Sequence, residues 1–314
     1  MNITDQQVFG VVVGVDGSEH GDTAARYGAV EADRLGVPLD LVHVMPAAIP
    51  LAPEHEPVLS EASLQSYATE ILDRARKGAL ALRPDVEVRT HLRSGSRAQE
   101  LVACAERATL LVLGNRSPKA FDRIWTGGTV TAVSAGAACA VVVVPAEWQH
   151  DVVRGRVAVG VDTPGEAHDL LEVAFKTARD LDADLVVLHA WRLEGVYDDI
   201  IADRTCADRW QHHQTELIER DLAEFRERFP DVPIRVYIRH EDPAHALVRV
   251  TGGVDRLVLQ RLAGRPLRHL GRVGRAVLRD SRCPVVVVPS HQVQPSHHGA
   301  HALTSDAPVE ALAR

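Results

Sequence analysis

TLLVLG (109–114), NRSPKAFDRIWT (115–126) and GGTVTAVSAGAACAVVVVP (127–145) follow one another without interruption, and the fold is read outward from them. The first piece is a short apolar run closed by Gly114, which predicts a buried strand. The second is a polar loop. The third opens with Gly127 and Gly128, continues as a helix and ends in a valine run, Val141 to Val144, that predicts a second buried strand. One glycine leaving a strand and another entering a helix allow a close backbone approach. The first N–H groups of a helix also have no intrahelical partner. A phosphate group is the ligand such a combination suits.

Composition narrows the classes. A chain of 314 residues exceeds one ordinary compact domain, and two domains are expected. The formal net charge of −8 disfavours a surface built for nucleic acid. Aromatics are only 4% of residues beside abundant Val, Leu and Ala, a composition that suits a parallel sheet buried under helices. Cys104, Cys139, Cys206 and Cys283 contain no C-x-x-C pair, so buried thiols are expected rather than a disulfide framework or a zinc site. The N-terminus lacks a signal-like pattern, and no apolar run is long enough to span a bilayer. A cytoplasmic protein without membrane contact is expected.

The chain is one module written twice. Val13-Gly14-Val15-Asp16 recurs as Val159-Gly160-Val161-Asp162, His43 as His189, and Leu111-Val112-Leu113 as Leu257-Val258-Leu259, all 146 residues later. After the loop the offset becomes 144: Gly127 matches Gly271, Cys139 matches Cys283, and Val141–Pro145 matches Val285–Pro289. Two residues are therefore lost between Gln260 and Gly271, inside the second copy of the glycine-flanked loop.

In chain order, strands are predicted at 11–16, 39–44, 86–92, 109–114 and 141–144. Helices are predicted at 23–35, 59–82, 98–108 and from Gly127. A proline-rich loop at 45–57 interrupts them. Strands alternating with helices give parallel strands and right-handed crossovers. The expected fold class is α/β: two tandem Rossmann-like domains, 8–147 and 153–290, each an open five-stranded parallel sheet with helices on both faces. Residues 291–314 read as a disordered tail. Such sheets bind ligands beyond the carboxyl ends of their strands, which is where Asp16 and Gly114 fall.

GVVVGVDGS (10–18), the glycine-flanked loop and VVVVP (141–145) together resemble the universal stress protein family, whose fold is that of the adenine nucleotide alpha hydrolases. The resemblance spans residues 8 to 290 in a tandem, actinobacterial form. Its motif is Gly, two residues, Gly, nine residues, Gly, then Ser or Thr. Gly114 and Gly127 match it, while Ser117 and Gly128 stand at the second Gly and the Ser/Thr position, with Thr129 next. The resemblance implies a stress-response protein that binds ATP, with Mg²⁺, and has no fast catalysis. Asp16 and Val44 would help hold the adenosine part, with Gly14 and Leu113 also among the nucleotide-binding residues. Gly114, Arg116, Ser117, Gly127, Gly128, Thr129 and Val130 would lie around the phosphates. Ser117 adds a Cβ where the family has glycine, and Gly128 removes a hydroxyl donor. Each change is worth about 1 kcal/mol.

The second copy departs further, with Gln260 for Gly114, a shorter loop and Arg272 for Gly128, so nucleotide is expected in the first domain only. Seven arginines between Arg261 and Arg282 offer two readings: a solvated helix face laced with ion pairs, or a patch for an anionic or acidic partner. Asp16 likewise carries two readings, nucleotide contact and helix capping. Lys119 and Arg123 read as solvated loop cations. His43 and His189 read as fold residues. No P-loop or nucleophile elbow occurs, so an enzyme is not expected beyond slow ATP hydrolysis, and an adenylyl or phosphoryl transferase is the least favoured reading because no catalytic residue for it is evident. The rival reading is an interaction module of the same fold that pairs its domains through 141–144 and 285–288. A homodimer is expected in either case.

Overall fold

Valine-rich runs become the central strands, and the alanine-rich segments between them become the helices that cover both faces. The computed structural model describes residues 9–46, 61–115, 128–192, 207–261 and 270–289. Arg116, Ser117, Lys119, Arg123, Gly127, Cys206, Arg265, Arg268 and the tail 291–314 lie outside the described residues, as does most of the proline-rich loop.

The first half runs β1 (Phe9–Gly14), α1 (Glu19–Leu35), β2 (Leu39–Met45), α2 (Glu61–Leu82), β3 (Val88–Ser94), α3 (Arg97–Ala105), β4 (Ala108–Asn115), α4 (Gly128–Gly136) and β5 (Val141–Pro145). The second runs β6 (Arg156–Gly160), α5 (His168–Asp180), β7 (Asp184–Trp191), α6 (Ala207–Arg228), β8 (Ile234–His240), α7 (Pro243–Val250), β9 (Arg256–Gln260), α8 (Arg272–Asp280) and β10 (Val285–Val288). The sequence reading finds each element to within a few residues. It carries the third helix into residues 106–108, where the chain has already turned into β4, and it places Asp16 in a strand that ends at Gly14.

The strands form one ten-stranded sheet in the order β3-β2-β1-β4-β5-β10-β9-β6-β7-β8. Pairing is parallel within each half and antiparallel where β5 meets β10. At that seam Val142 pairs with Val286, its own repeat image, while Val141 pairs with Val287 and Val143 with Val285. A residue facing its own image marks a twofold axis, so the halves are related by a pseudo-twofold through this pair. Two apolar layers, one on each face, run through both halves. One holds Val11, Val13, Leu39, Val157 and Phe175, the other Val12, Leu111, Leu113, Leu257 and Val277.

Candidate functional site

The carboxyl ends of β1, β2 and β4 form one edge of the first half. Gly14 lies beside Val42 on one side and Leu113 on the other. Gly14 has no room for a side chain, since a Cβ there would lie 2.9 Å from the Leu113 side chain and 3.1 Å from Leu101. Leu113 and Val44 are buried in the same layer. They form the floor beneath the strand ends. His43 lies on the opposite face, and its Nδ1–H donates to the Val15 carbonyl at 2.8 Å. His189 does the same to Val161 at 2.9 Å. Both histidines therefore hold the exit of the first strand of their half, the fold role read for them from the repeat.

Asp16 stands two residues beyond β1, on a turn that needs the positive φ of Gly17, 85°. Its Oδ1 accepts from the Ser18 N–H at 3.1 Å and from the Ser18 hydroxyl. The helix cap is Ser18 itself, whose Oγ accepts from the Gly21 N–H. The capping reading of Asp16 is thus corrected: Asp16 orients the cap rather than being it. Its carboxyl is nearly half exposed at 45%. Burial acts to raise its pKa, but the two hydrogen bonds from Ser18 and the charges of His20 and Arg97 outweigh this and hold it below the usual carboxylate range. Arg74 of α2 fastens the same turn, donating to the Gly17 carbonyl and pairing with Asp22 at 3.0 Å. Ser18 enters the sequence reading only as part of the turn after Asp16, not as the cap, and His20, Arg74 and Arg97 are absent from it. A serine directly before a helix is a signal for the first of them, whereas the others are assembled only by the tertiary fold.

Gly114 has a packing explanation. A Cβ there would lie 2.1 Å from the His20 carbonyl oxygen, so the first turn of α1 rests directly on the end of β4. Small residues draw α1 down: Gly21, Ala24, Ala25, Gly28, Ala29 and Ala32 are all buried, and a Cβ on Gly28 would come within 2.4 Å of Val13. Across the edge, α4 begins at Gly128, with Thr129 half-buried and Val130 buried behind it. Among the described residues nothing lies within 4 Å of where a Gly128 Cβ would stand, so the helix start is open toward them.

The second half is built differently around its own strand ends. Thr163, Pro164 and Ala167 replace Gly17, Ser18 and Gly21, and Gln260 replaces Gly114. Its helix α5 begins at His168, which matches Asp22, so it starts later than α1 in the repeat register. The turn before it is held by a carboxylate, Asp221 Oδ2 accepting from the Gly165 N–H at 2.7 Å. A second carboxylate caps α7: Asp242 Oδ1 accepts from the Ala244 and His245 N–H groups at 3.0 and 3.2 Å, and Oδ2 pairs with Arg272 at 3.2 Å. Burial would raise the Asp242 pKa, but these two N–H groups and Arg272 keep it low. In the first half Ser96 takes the place of Asp242 and makes no side-chain cap, and Gly128 takes the place of Arg272.

Among the described arginines of 261–282, Arg272 pairs with Asp242 and Arg279 with Asp280. Arg275 donates to the Leu270 carbonyl and Arg261 to the Ala137 carbonyl, which ends α4 of the other half. These contacts favour the ion-paired surface over the anion patch. Cys104, Cys139 and Cys283 are free thiols, and burial pushes Cys139 up to about 11 and Cys283 up to about 12. Neutral thiols of this kind are unreactive. Among the described residues no helix is long and apolar enough to cross a membrane, and no cluster of three His, Cys, Asp or Glu could hold a metal ion.

A family model described as the universal stress protein family matches residues 10–145 and 154–289. The chain is 30% identical over 290 residues to a universal stress protein of Mycolicibacterium smegmatis, covering 89% of this chain and 97% of that one. It is equally identical over 287 residues to one of Mycobacterium tuberculosis, covering 88% and 96%. The fold is similar to the crystal structure of a universal stress protein from Archaeoglobus fulgidus, with a TM-score of 0.63 at 18% identity over 90% of this chain and 99% of that one.

Proposed function

Because the chain belongs to the universal stress protein family, we propose that it is a regulatory binding protein that takes one adenine nucleotide, at the carboxyl edge of its first half. The observation that carries this reading is the open start of α4 at Gly128, on the same sheet edge as the exposed carboxylate of Asp16. Free N–H groups at a helix start favour the phosphates of ATP. Asp16, held ionised, accepts hydrogen bonds from the sugar hydroxyls, while Val44 and Leu113 form the apolar floor. Arg116, Ser117 and Gly127 complete the proposed phosphate side. A magnesium ion would be held chiefly by the phosphates themselves, as this ion prefers. In the second half, carboxylates of the protein already stand on the N–H groups at Gly165 and at the start of α7, and a bound phosphate would meet their charge. Among the described residues of the first site no side chain is arranged as an activated nucleophile or general base, and the proposed reading is binding rather than turnover. The expected setting is the cytoplasm.

The test is equilibrium binding of ATP to the full chain and to a Gly128→Glu variant. The added carboxylate has open space and suits the start of a helix, so folding is preserved while phosphate is repelled. One ATP per chain, weakened about tenfold or more by Gly128→Glu, supports the reading. No binding at millimolar ATP contradicts it.

A second reading, an interaction module without nucleotide, is favoured by one observation. Gly114 and Asp16 both have sufficient roles in seating α1 on the sheet. The same titration separates the two readings.

A further inference from the structure

The pseudo-twofold seam is symmetric in its strands but not in its charges. Arg34 of α1 pairs with Asp180 of α5 at 3.0 Å, and Asp180 is the repeat image of Arg34. Beside this pair, Glu31 of α1 is wholly buried, and both of its oxygens accept from Arg256 of β9, one of them at 3.0 Å. Arg34 donates to the same carboxylate at 2.8 Å. The Arg256 guanidinium also lies over the Tyr27 ring, 5.4 Å from its centre. Burial works against ionised Glu31, but Arg256 and Arg34 outweigh it and hold its pKa below the usual range.

The symmetry-related place has none of this. The repeat image of Glu31 is Thr177, and Arg256 is itself the image of the apolar Leu110. Register confirms the match, since Leu110 pairs with Val11 as Arg256 pairs with Val157.

Two like halves meeting through the same axis would face a different arrangement. Two first halves would set Arg34 against Arg34 and bury Glu31 against Leu110. Two second halves would set Asp180 against Asp180 and bury Arg256 against Thr177. Each alternative places like charges on the axis and takes a buried ion from its main partner, which costs far more than an exposed mismatch. The valines of β5 and β10 suit any pairing.

We propose that this face is a recognition surface specific for the unlike half of the chain: Glu31, Arg34, Asp180 and Arg256 admit a first half only against a second half and reject pairing of like halves between two copies of the chain. The sheet therefore closes within one chain rather than between copies, and any larger assembly uses other surfaces.

The test follows pairing at the axis. A Val142→Cys substitution places a thiol opposite Val286 within one chain, but opposite a second such thiol when two first halves meet. The full chain with this substitution is unfolded, refolded and oxidised. It is compared with the same chain carrying Glu31→Thr, Arg34→Ala, Asp180→Ala and Arg256→Leu, and with a control lacking the added cysteine. The expected result is at least about tenfold more disulfide-linked dimer when the four charges are removed. Equal crosslinking with and without the charges, or none in either, overturns the proposal. Should the fourfold variant fold poorly, Glu31→Thr, Arg256→Leu and their double variant decide the matter by denaturant midpoint. The double variant must be more stable than either single one. Additive losses overturn the proposal as surely.

Discussion

At the edge of the first half, α1 begins at Glu19 and its first turn lies on Gly114. At the same edge of the second half, α5 waits until His168 and Gln260 fills the strand end. The strands are alike. What differs is how closely a helix approaches them. Gly21, Gly28 and Gly114 remove the side chains that would hold α1 away, whereas Ala167, Ala174 and Gln260 restore them in the second half. Phe175 and Phe225, stacked at 5.1 Å, occupy the positions of Ala29 and Ala79 and thicken their layer within the second half. Removing a few methyl-sized groups is enough to change which backbone groups face the candidate edge. The second half then satisfies its own N–H groups with Asp221 and Asp242.

The largest effect is expected where the halves are joined. Arg256→Leu, which gives β9 the residue that β4 carries at Leu110, leaves Glu31 buried without its main partner and costs about 3–5 kcal/mol in urea unfolding. The corresponding Leu110→Val change costs about 1 kcal/mol. Equal losses would mean that the seam is not asymmetric.

Acid sharpens the same point. The Glu31 pKa is lowered in the folded chain from its ordinary 4.5. Its contribution is therefore fully present above that value and is lost as pH falls through the lower folded value. Stability measured against pH falls more steeply below 4.5 in the wild type than in Glu31→Gln. Parallel curves would contradict this.

Gly114→Ala forces a Cβ against the His20 carbonyl and costs about 1–3 kcal/mol or more, while Gln260→Ala stays within about 0.5 kcal/mol, the range of an ordinary surface change. Thermal melting of both variants checks the contrast, and a harmless Gly114→Ala would remove the packing account of that glycine.

Much of this was legible in the residues. The repeat, the alternation of strands and helices, and the loss of glycines from the second loop point to two unequal copies of one parallel α/β module. The seam was legible only in part. Valine runs at 141–144 and 285–288 show that two edges need cover, but nothing local marks Glu31 and Arg256 as partners 225 residues apart. Gly114 was read as allowing the close approach of a phosphate, and the approach it allows in the structure is that of α1. That distinction depends on where α1 lies, which is set by small residues scattered along it. Asp16, Gly114 and Gly128 were legible as neighbours on one sheet edge, and the residues that support that edge were not. Arg74 comes from α2 and Arg97 from α3, and only the sheet order brings them to one edge.

The smallest stability contrast lies at the helix caps. Asp242→Ala removes two N–H bonds and the Arg272 pair and costs about 1 kcal/mol. Ser96→Ala, which removes no cap bond, changes the melting temperature little. A reversal would show the first half to be as internally satisfied as the second.

The claim that the two edges are unequal toward a ligand is tested most directly by amide hydrogen exchange on the full chain with and without ATP. The account predicts slowed exchange at the start of α4, residues 128–132, and around 16–21, with no change at the start of α8, residues 272–276. Equal protection of both helix starts, or protection confined to α8, would contradict it.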